Sequence, residues 1–196
     1  MSDKGDELLV YFFRHGGTAG NEQKRYIGVT DEAVTEAWKK KLGAIRAPAV
    51  DIVYSSPMLR CRQTAAILYP NTPAIMVDGL RECDFGRFEG KNYIELSSDT
   101  DYQRWIDSGG KLGFPQGEDI SDFKARVSKA FLEKVVKECL HKHLETAAVI
   151  THGGVIMGLL ETLGDGSTGF YDHIPANGEC VECVFDYSQG LFIRKI

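Results

Sequence analysis

The stretch LLVYFFRHGGT, residues 8–18, decides how the rest of the chain is read. Leu8 to Phe13 is an unbroken apolar run, too short for a helix, and has the pattern of a strand buried on both faces, as in a parallel sheet. It ends in Arg14-His15-Gly16-Gly17-Thr18, so this strand delivers a guanidinium, an imidazole and two glycines at its carboxyl end. Further along, Ala147 to Ile150 repeats the design and ends in Thr151-His152-Gly153-Gly154. Val50 to Tyr54 and Ala74 to Val77 read as two shorter strands.

Helical spacing lies between these strands. Thr35 to Ile45 carries Ala37, Trp38, Leu42 and Ile45 on one face. Ser56-Pro57 is a start signal, serine as N-cap and proline in the first turn, for a helix to about Leu68. Asp119 to about Leu144 is amphipathic, with Phe123, Val127, Phe131 and Val135 on one stripe, and a helix from about Val155 to Leu163 follows the fourth strand. Cys180 to Tyr187 and Leu191 to Ile196 read as a hairpin turning at Ser188, Gln189 and Gly190. Strands alternating with helices predict an α/β fold, a three-layer α/β/α sandwich with a mostly parallel central sheet.

The chain has 196 residues, enough for one domain with a full core, and the expectation is a single domain over 1–196. Apolar residues make up 43% and charged ones 26%; Lys+Arg 23 against Asp+Glu 28 gives a net charge of −5, which argues against a nucleic-acid partner. No apolar run is long enough to span a membrane and the start, MSDKGDELLV, is unlike a signal peptide, so the expected location is the cytoplasm. Five irregularly spaced cysteines make a poor disulfide framework. Cys180 and Cys183 form a CxxC within a strand, where residues three apart face opposite ways; they and the His141/His143 pair lack further ligands, so no metal is expected.

In a parallel sheet, ligands bind beyond the carboxyl ends of the strands. That rule brings together Arg14 and His15 from the first strand, Arg60 one turn into the helix after the second, Glu82 after the third and His152 after the fourth. Two arginines want an anion, and the glycines beside each histidine let backbone N–H groups approach it. A neutral imidazole with its other nitrogen held by an acceptor is a nucleophile toward phosphorus, and a carboxyl such as Glu82 can serve the leaving oxygen as general acid. The set needs neither a metal nor another cofactor. Each residue alone has an ordinary reading as a turn, a solvated helix residue or a surface glutamate; only their joint placement at successive strand ends points to a site.

These residues resemble the histidine phosphatase superfamily, the phosphoglycerate mutase-like proteins. Its RHGxT signature stands as residues 14–18 with Asn21 beyond it, and its Arg-x-x-Gly as Arg25-Tyr26-Ile27-Gly28. The D-x-P-L-T-x-x-G stretch appears as DEAVTEAW, residues 31–38, without its Pro and Gly. SSPMLRCRQTA (55–65) follows the family closely; LRECDFGRFEG (80–90) completes the L-x-E-x-x-F-G-x-x-E-G block; Gly117-Glu118 and residues 151–154 supply the remaining motifs. A further departure is Gly17, where the family often has Glu or Gln. The resemblance implies phosphoryl transfer through a phosphohistidine at His15. It implies Arg14, Asn21, Gly28, Arg60, His152 and Gly153 around the phosphate, and Glu82 as proton donor.

The compact length and the form of the Glu82 block resemble short bacterial phosphatases, alpha-ribazole phosphatase among them. The expected function is therefore a metal-independent, acid-type phosphomonoesterase on a small phosphorylated metabolite. The alternatives are a cofactor-dependent phosphoglycerate mutase, and a catalytically weak phosphate-binding protein of the same fold. Residues 91–116, with Tyr93, Tyr102, Trp105, Phe114 and a Gly109-Gly110 hinge, are read two ways: as a lid over the pocket, or as a helical pair whose aromatics form a small core. Arg62 and Arg87 add positive potential at the mouth or are solvated surface. The C-terminal hairpin offers an edge for a homodimer.

Overall fold

The structure, a computed structural model, describes residues 7–164, 166 and 174–194. In chain order the elements are β1 (Glu7–Arg14), α1 (Ala19–Glu22), α2 (Glu36–Gly43), β2 (Ile52–Ser55), α3 (Leu59–Leu68), β3 (Ile75–Met76), α4 (Thr100–Asp107) and α5 (Ile120–Ala130). They continue with α6 (Lys137–His141), β4 (Thr146–Thr151), α7 (Gly153–Leu163), β5 (Cys180–Asp186) and β6 (Gly190–Ile193). The strands form one sheet in the order β3-β2-β4-β1-β5-β6. β1, β4, β2 and β3 pair in parallel, while β5 and β6 join antiparallel at one side. The sheet is thus mostly parallel, as the alternation of strands and helices predicts.

Alternation along each central strand builds the core on both faces. Val10 and Phe12 of β1, Tyr54 of β2 and Val149 of β4 point to one side, where Phe123 and Val127 of α5 and Val155 and Leu159 of α7 cover them. Phe13, Val53, Ala148 and Ile150 point to the other, against Leu42 of α2 and Cys61, Ala65 and Leu68 of α3. A strand buried on both faces has no polar face to alternate with, which is why β1 and β4 read as continuous apolar runs.

Three expectations shift. The predicted cap at Ser56 is not made: α3 begins two residues after Pro57, with Met58 at its N-cap position and no side-chain cap bond there. Its first N–H is met instead by Asp31, 2.6 Å from Leu59 N, while the Ser56 hydroxyl lies against His152. The third strand shrinks to Ile75–Met76, both exposed at the sheet edge, where only one neighbour rewards extension. The long helix is one run whose middle, Phe131–Val136, widens into π winding; the stripe Phe123, Val127, Phe131 and Val135 is fully buried as predicted.

Three of the four aromatics of segment 91–116 are packed inward. Tyr102, Trp105 and Phe114 are buried against Tyr26, Phe85 and Phe88, whereas Tyr93 is exposed. Gly109 and Gly110, the expected hinge, both take positive φ (66° and 73°) at the end of α4. Arg62 is exposed, and Arg87 pairs with Asp99 and Asp101 beside α4. Cys180 is exposed and Cys183 buried, on opposite faces of β5. The end of the expected second hairpin strand, 195–196, lies outside the described residues.

Candidate active site

β1 and β4 are parallel neighbours in register, Arg14 opposite Thr151, so the two histidines that follow emerge side by side. Their rings lie 5.1 Å apart, centroid to centroid, inclined at 66°. His15 is buried and its backbone N–H donates to Thr151 O. Its Nδ1 is 2.8 Å from Gly16 O; a carbonyl only accepts, so the proton sits on Nδ1 and Nε2 keeps its lone pair. Burial, and then the charge of Arg60, hold the His15 pKa well below its usual value, so the ring is neutral at any physiological pH.

His152 receives the opposite tautomer. Arg60 Nε–H donates to its Nδ1 at 3.3 Å, leaving the proton on Nε2, which donates to Ser56 Oγ at 2.9 Å. Its pKa is likewise pulled down, by burial first and by Arg60 second. One imidazole is therefore set as an electron-pair donor and its neighbour as a hydrogen donor.

Arg60 is entirely buried. Its charge is accommodated by carbonyls: Nη1 donates to Thr30 O, and Nη2 to Gly28 O, both at 2.8 Å, with Ile27 O at 3.4 Å. The loop offering those carbonyls is held by Glu89, whose Oε1 accepts from Gly28 N and Thr30 N. Gly28 packs so tightly beneath Cys83 O that a Cβ would collide with it. Glu89 thus fixes the loop, the loop fixes Arg60, and Arg60 fixes the tautomer of His152. Gly28, expected beside the phosphate, has its N–H committed to Glu89 and its carbonyl to Arg60, so it serves the site through the arginine.

Arg14 donates through Nη1 to Pro175 O at 2.8 Å, while its buried Nε has no partner among the described residues. Gly153 lies against that guanidinium; a Cβ there would sit 3.4 Å from Nε. Burial is the main cause lowering the Arg14 pKa, with Arg60 adding to it and Glu82 opposing it. Asn21 closes a capping box with Thr18 on α1 and accepts from Asn177 Nδ2, which also donates to His15 O.

Glu82 is held between backbone N–H groups, Oε1 3.0 Å from Cys83 N and Oε2 3.1 Å from Gly154 N at the start of α7. A Cβ on Gly154 would press on Oε1, so the glycine lets the carboxyl lie in this place. Burial raises the Glu82 pKa against the opposing pull of those N–H groups and of Arg60 and Arg14. The segment carrying it is fastened by Arg126 of α5. Its Nη1 donates to Gly79 O and Arg81 O, at 2.9 and 3.0 Å, and its Nη2 to Glu82 O at 3.4 Å. Arg126 is itself gripped through Nε and Nη2 by both oxygens of Glu118.

The structure therefore gathers Arg14, His15, Arg60, Glu82 and His152 in one electrostatically coupled cluster. Sequence reasoning missed the residues that aim them. Glu89 and Glu118 stand in the quoted motifs, but with no role assigned to them, and Arg126 stands in none; Glu89 and Arg126 act on backbone N–H groups and carbonyls, which leave no spacing pattern. Thr64 Oγ1 accepts from Gly16 N and donates to Arg60 O, and Thr151 Oγ1 donates to Leu80 O, both inside buried polar turns. At Gly17, a Cβ would collide with the indole nitrogen of Trp38, so Trp38 fills the space that a side chain at 17 would take. Among the described residues, no group of three or more His, Cys, Asp or Glu is arranged to hold a metal ion, and no helix is long and apolar enough to cross a membrane.

The chain is similar to known proteins. The model of the histidine phosphatase superfamily, branch 1, matches residues 10–194. A broad-specificity phosphatase of Saccharomyces cerevisiae is 30% identical over 174 residues, covering 83% of this chain and 73% of its own. The phosphoglycerate mutase of Thermus thermophilus superposes with a TM-score of 0.72 at 27% identity, over 96% of this chain and 99% of its own. The alpha-ribazole phosphatase of Shigella flexneri shares the fold, with a TM-score of 0.79 at 20% identity over 96% of each chain.

Proposed function

The chain belongs to the histidine phosphatase superfamily, and from that premise we propose that it is a metal-independent phosphomonoesterase acting on a small phosphorylated metabolite through a phosphohistidine at His15. The observation that carries this reading is the tautomer pair: His15 with its Nε2 lone pair exposed to the cluster, beside His152 with its Nε2 protonated. His15 Nε2 attacks phosphorus, forming the N–P bond as the P–O bond to the alcohol breaks. The Nε of Arg14, unpartnered among the described residues, the charge of Arg60 and the Nε2–H of His152, turned from Ser56 Oγ to the phosphoryl group, stabilise the negative charge spread over the transferring oxygens.

Glu82 supplies the proton to the leaving oxygen. Its raised pKa keeps the carboxyl protonated to higher pH than an ordinary glutamate, which suits an acid working below neutrality. As carboxylate it then takes a proton from water, whose oxygen attacks phosphorus. The N–P bond breaks, inorganic phosphate leaves, and His15 regains its lone pair. Arg60 and Arg14 attract the phosphate and lower the basicity of both imidazoles at once, so the nucleophile stays unprotonated beside an anion.

The test is trapping. Wild-type protein mixed with an aryl phosphate and quenched in base should retain one phosphoryl group, stable to alkali and released by acid, and His15→Ala should retain none. Phosphate release that persists in His15→Ala overturns the reading, and so does release abolished by chelators.

A further inference from the structure

An apolar cavity abuts the candidate acid. It has a volume of about 160 Å³ and is walled by Tyr26, Phe85, Trp105, Phe114 and Met157, with Glu82 at one side. Its aromatic walls are mutually braced: Phe85 meets Phe114 edge-on at 5.0 Å, and Trp105 lies 5.4 Å from Phe114. Among the described residues no lysine or arginine lines it. A second chamber, about 450 Å³, also touches Glu82, but it is lined by charged groups that largely answer one another. There Arg126 is bound by Glu118, Arg81 pairs with Asp78, and Asp84 accepts from Gly86 N.

If Glu82 protonates the leaving oxygen, that oxygen lies within hydrogen-bond reach of its carboxyl, and the carbon skeleton behind it enters a space that Glu82 borders. We propose that the aromatic cavity is the leaving-group subsite, and that it selects phosphomonoesters of a flat, apolar alcohol about the size of one aromatic ring. The dimensions agree, since a cavity of about 150 Å³ is enough for a benzene ring. The lining decides against the alternatives. A sugar would bury several hydroxyls with little beyond Glu82 and the indole N–H of Trp105 to meet them, and a carboxylated or doubly phosphorylated alcohol would place a second anion beside Glu82 with no lysine or arginine in the lining to meet it. In the polar chamber, a hydroxylated alcohol would exchange water for groups already paired, gaining little.

This assignment rests on the phosphatase reading, and the experiment separates the two. Phosphonates avoid the differing reactivities of leaving groups, so binding is read by calorimetry with phenylphosphonate and methylphosphonate, and turnover separately by phosphate release. The expected result is phenylphosphonate binding at least tenfold tighter than methylphosphonate to the unsubstituted protein, with that ratio falling toward one in Met157→Trp, which fills the cavity. Ile120→Trp fills it from another wall and gives the same fall should the first variant not fold. A ratio below two in the unsubstituted protein overturns the subsite, as does a ratio that survives both substitutions. Loss of all turnover with the ratio intact overturns the phosphatase reading and leaves the cavity as a binding site for the ring.

Discussion

Glu82 divides two regions built by opposite means. On one side stand His15, His152 and Arg60, buried polar groups: His15 and Arg60 are fixed by hydrogen bonds to backbone carbonyls of Gly16 and of the 27–30 loop, and His152 is held in turn by the side chains of Arg60 and Ser56. On the other stand Tyr26, Phe85, Trp105 and Phe114, held by ring-to-ring packing between short, irregular segments. Hydrogen bonds to a sheet fix an atom to a few tenths of an ångström, which transfer chemistry demands, because a small misplacement costs rate steeply. Apolar packing tolerates exchange of volume and shape at modest cost, which suits a surface that must fit one alcohol and can be refitted to another. The difference teaches that the polar side should govern whether phosphate moves, and the aromatic side which ester it comes from.

That division can be broken most sharply at His15. His15→Ala should lower turnover by more than about 10⁴-fold on every ester, measured by phosphate release. A loss confined to some esters would mean that His15 belongs to recognition. Next comes Glu82→Gln, expected to lower kcat by roughly 10²–10⁴-fold and to remove the fall of kcat/KM on the basic side that follows from the raised Glu82 pKa. A pH profile whose basic limb survives the substitution would assign that limb to another group.

Smaller effects sharpen the boundary. Arg126→Met should cost roughly ten- to a hundredfold in kcat by releasing the Glu82 segment. Glu118→Gln should cost a similar amount, and the double variant little more, because the two side chains act as one clamp. Additive losses would refute the clamp. On the aromatic side, Leu96→Ala, fully buried within segment 91–116, should cost about 2–5 kcal/mol of stability in urea unfolding while kcat stays within twofold. The smallest effect concerns acid. His15 and His152 have folded pKa values below their unfolded value of about 6.5, so the unfolded chain takes up protons that the folded one refuses. Their contribution to stability is complete above that pH and is lost as pH falls through and below it; urea midpoints from pH 7.5 to 5 should fall, and less so in His15→Gln.

The polar side was largely legible in the residues themselves. Arg14-His15 and Thr151-His152 each close an apolar run, and a run of that kind buried on both faces can hardly be anything but a central strand. The reach of Arg60 was harder to read, because its partners are the carbonyls of Ile27, Gly28 and Thr30, groups that every residue carries. Ser56 misled for a related reason: a serine before a proline looks like a helix cap, yet its hydroxyl is taken up by His152 and Asp31 meets the helix in its stead. The aromatic side was legible mainly as composition. Tyr102 and Trp105, three apart, share the buried face of α4 as the helical reading has it, but that Phe114 packs inward while Tyr93 stays out depends on turns that no periodicity describes.

Trp38 and Gly17 carry a last consequence, about substitutions that have to be made together. In the family pattern position 17 often bears an acidic or amide side chain and position 38 a glycine; here the bulk has moved across, and an indole fills the room beside a bare backbone. Neither exchange can be reversed alone, since a glutamate at 17 meets the ring and a glycine at 38 leaves a hole. The two positions therefore behave as one steric unit, in which a side chain added at 17 has room only if the ring at 38 is made smaller.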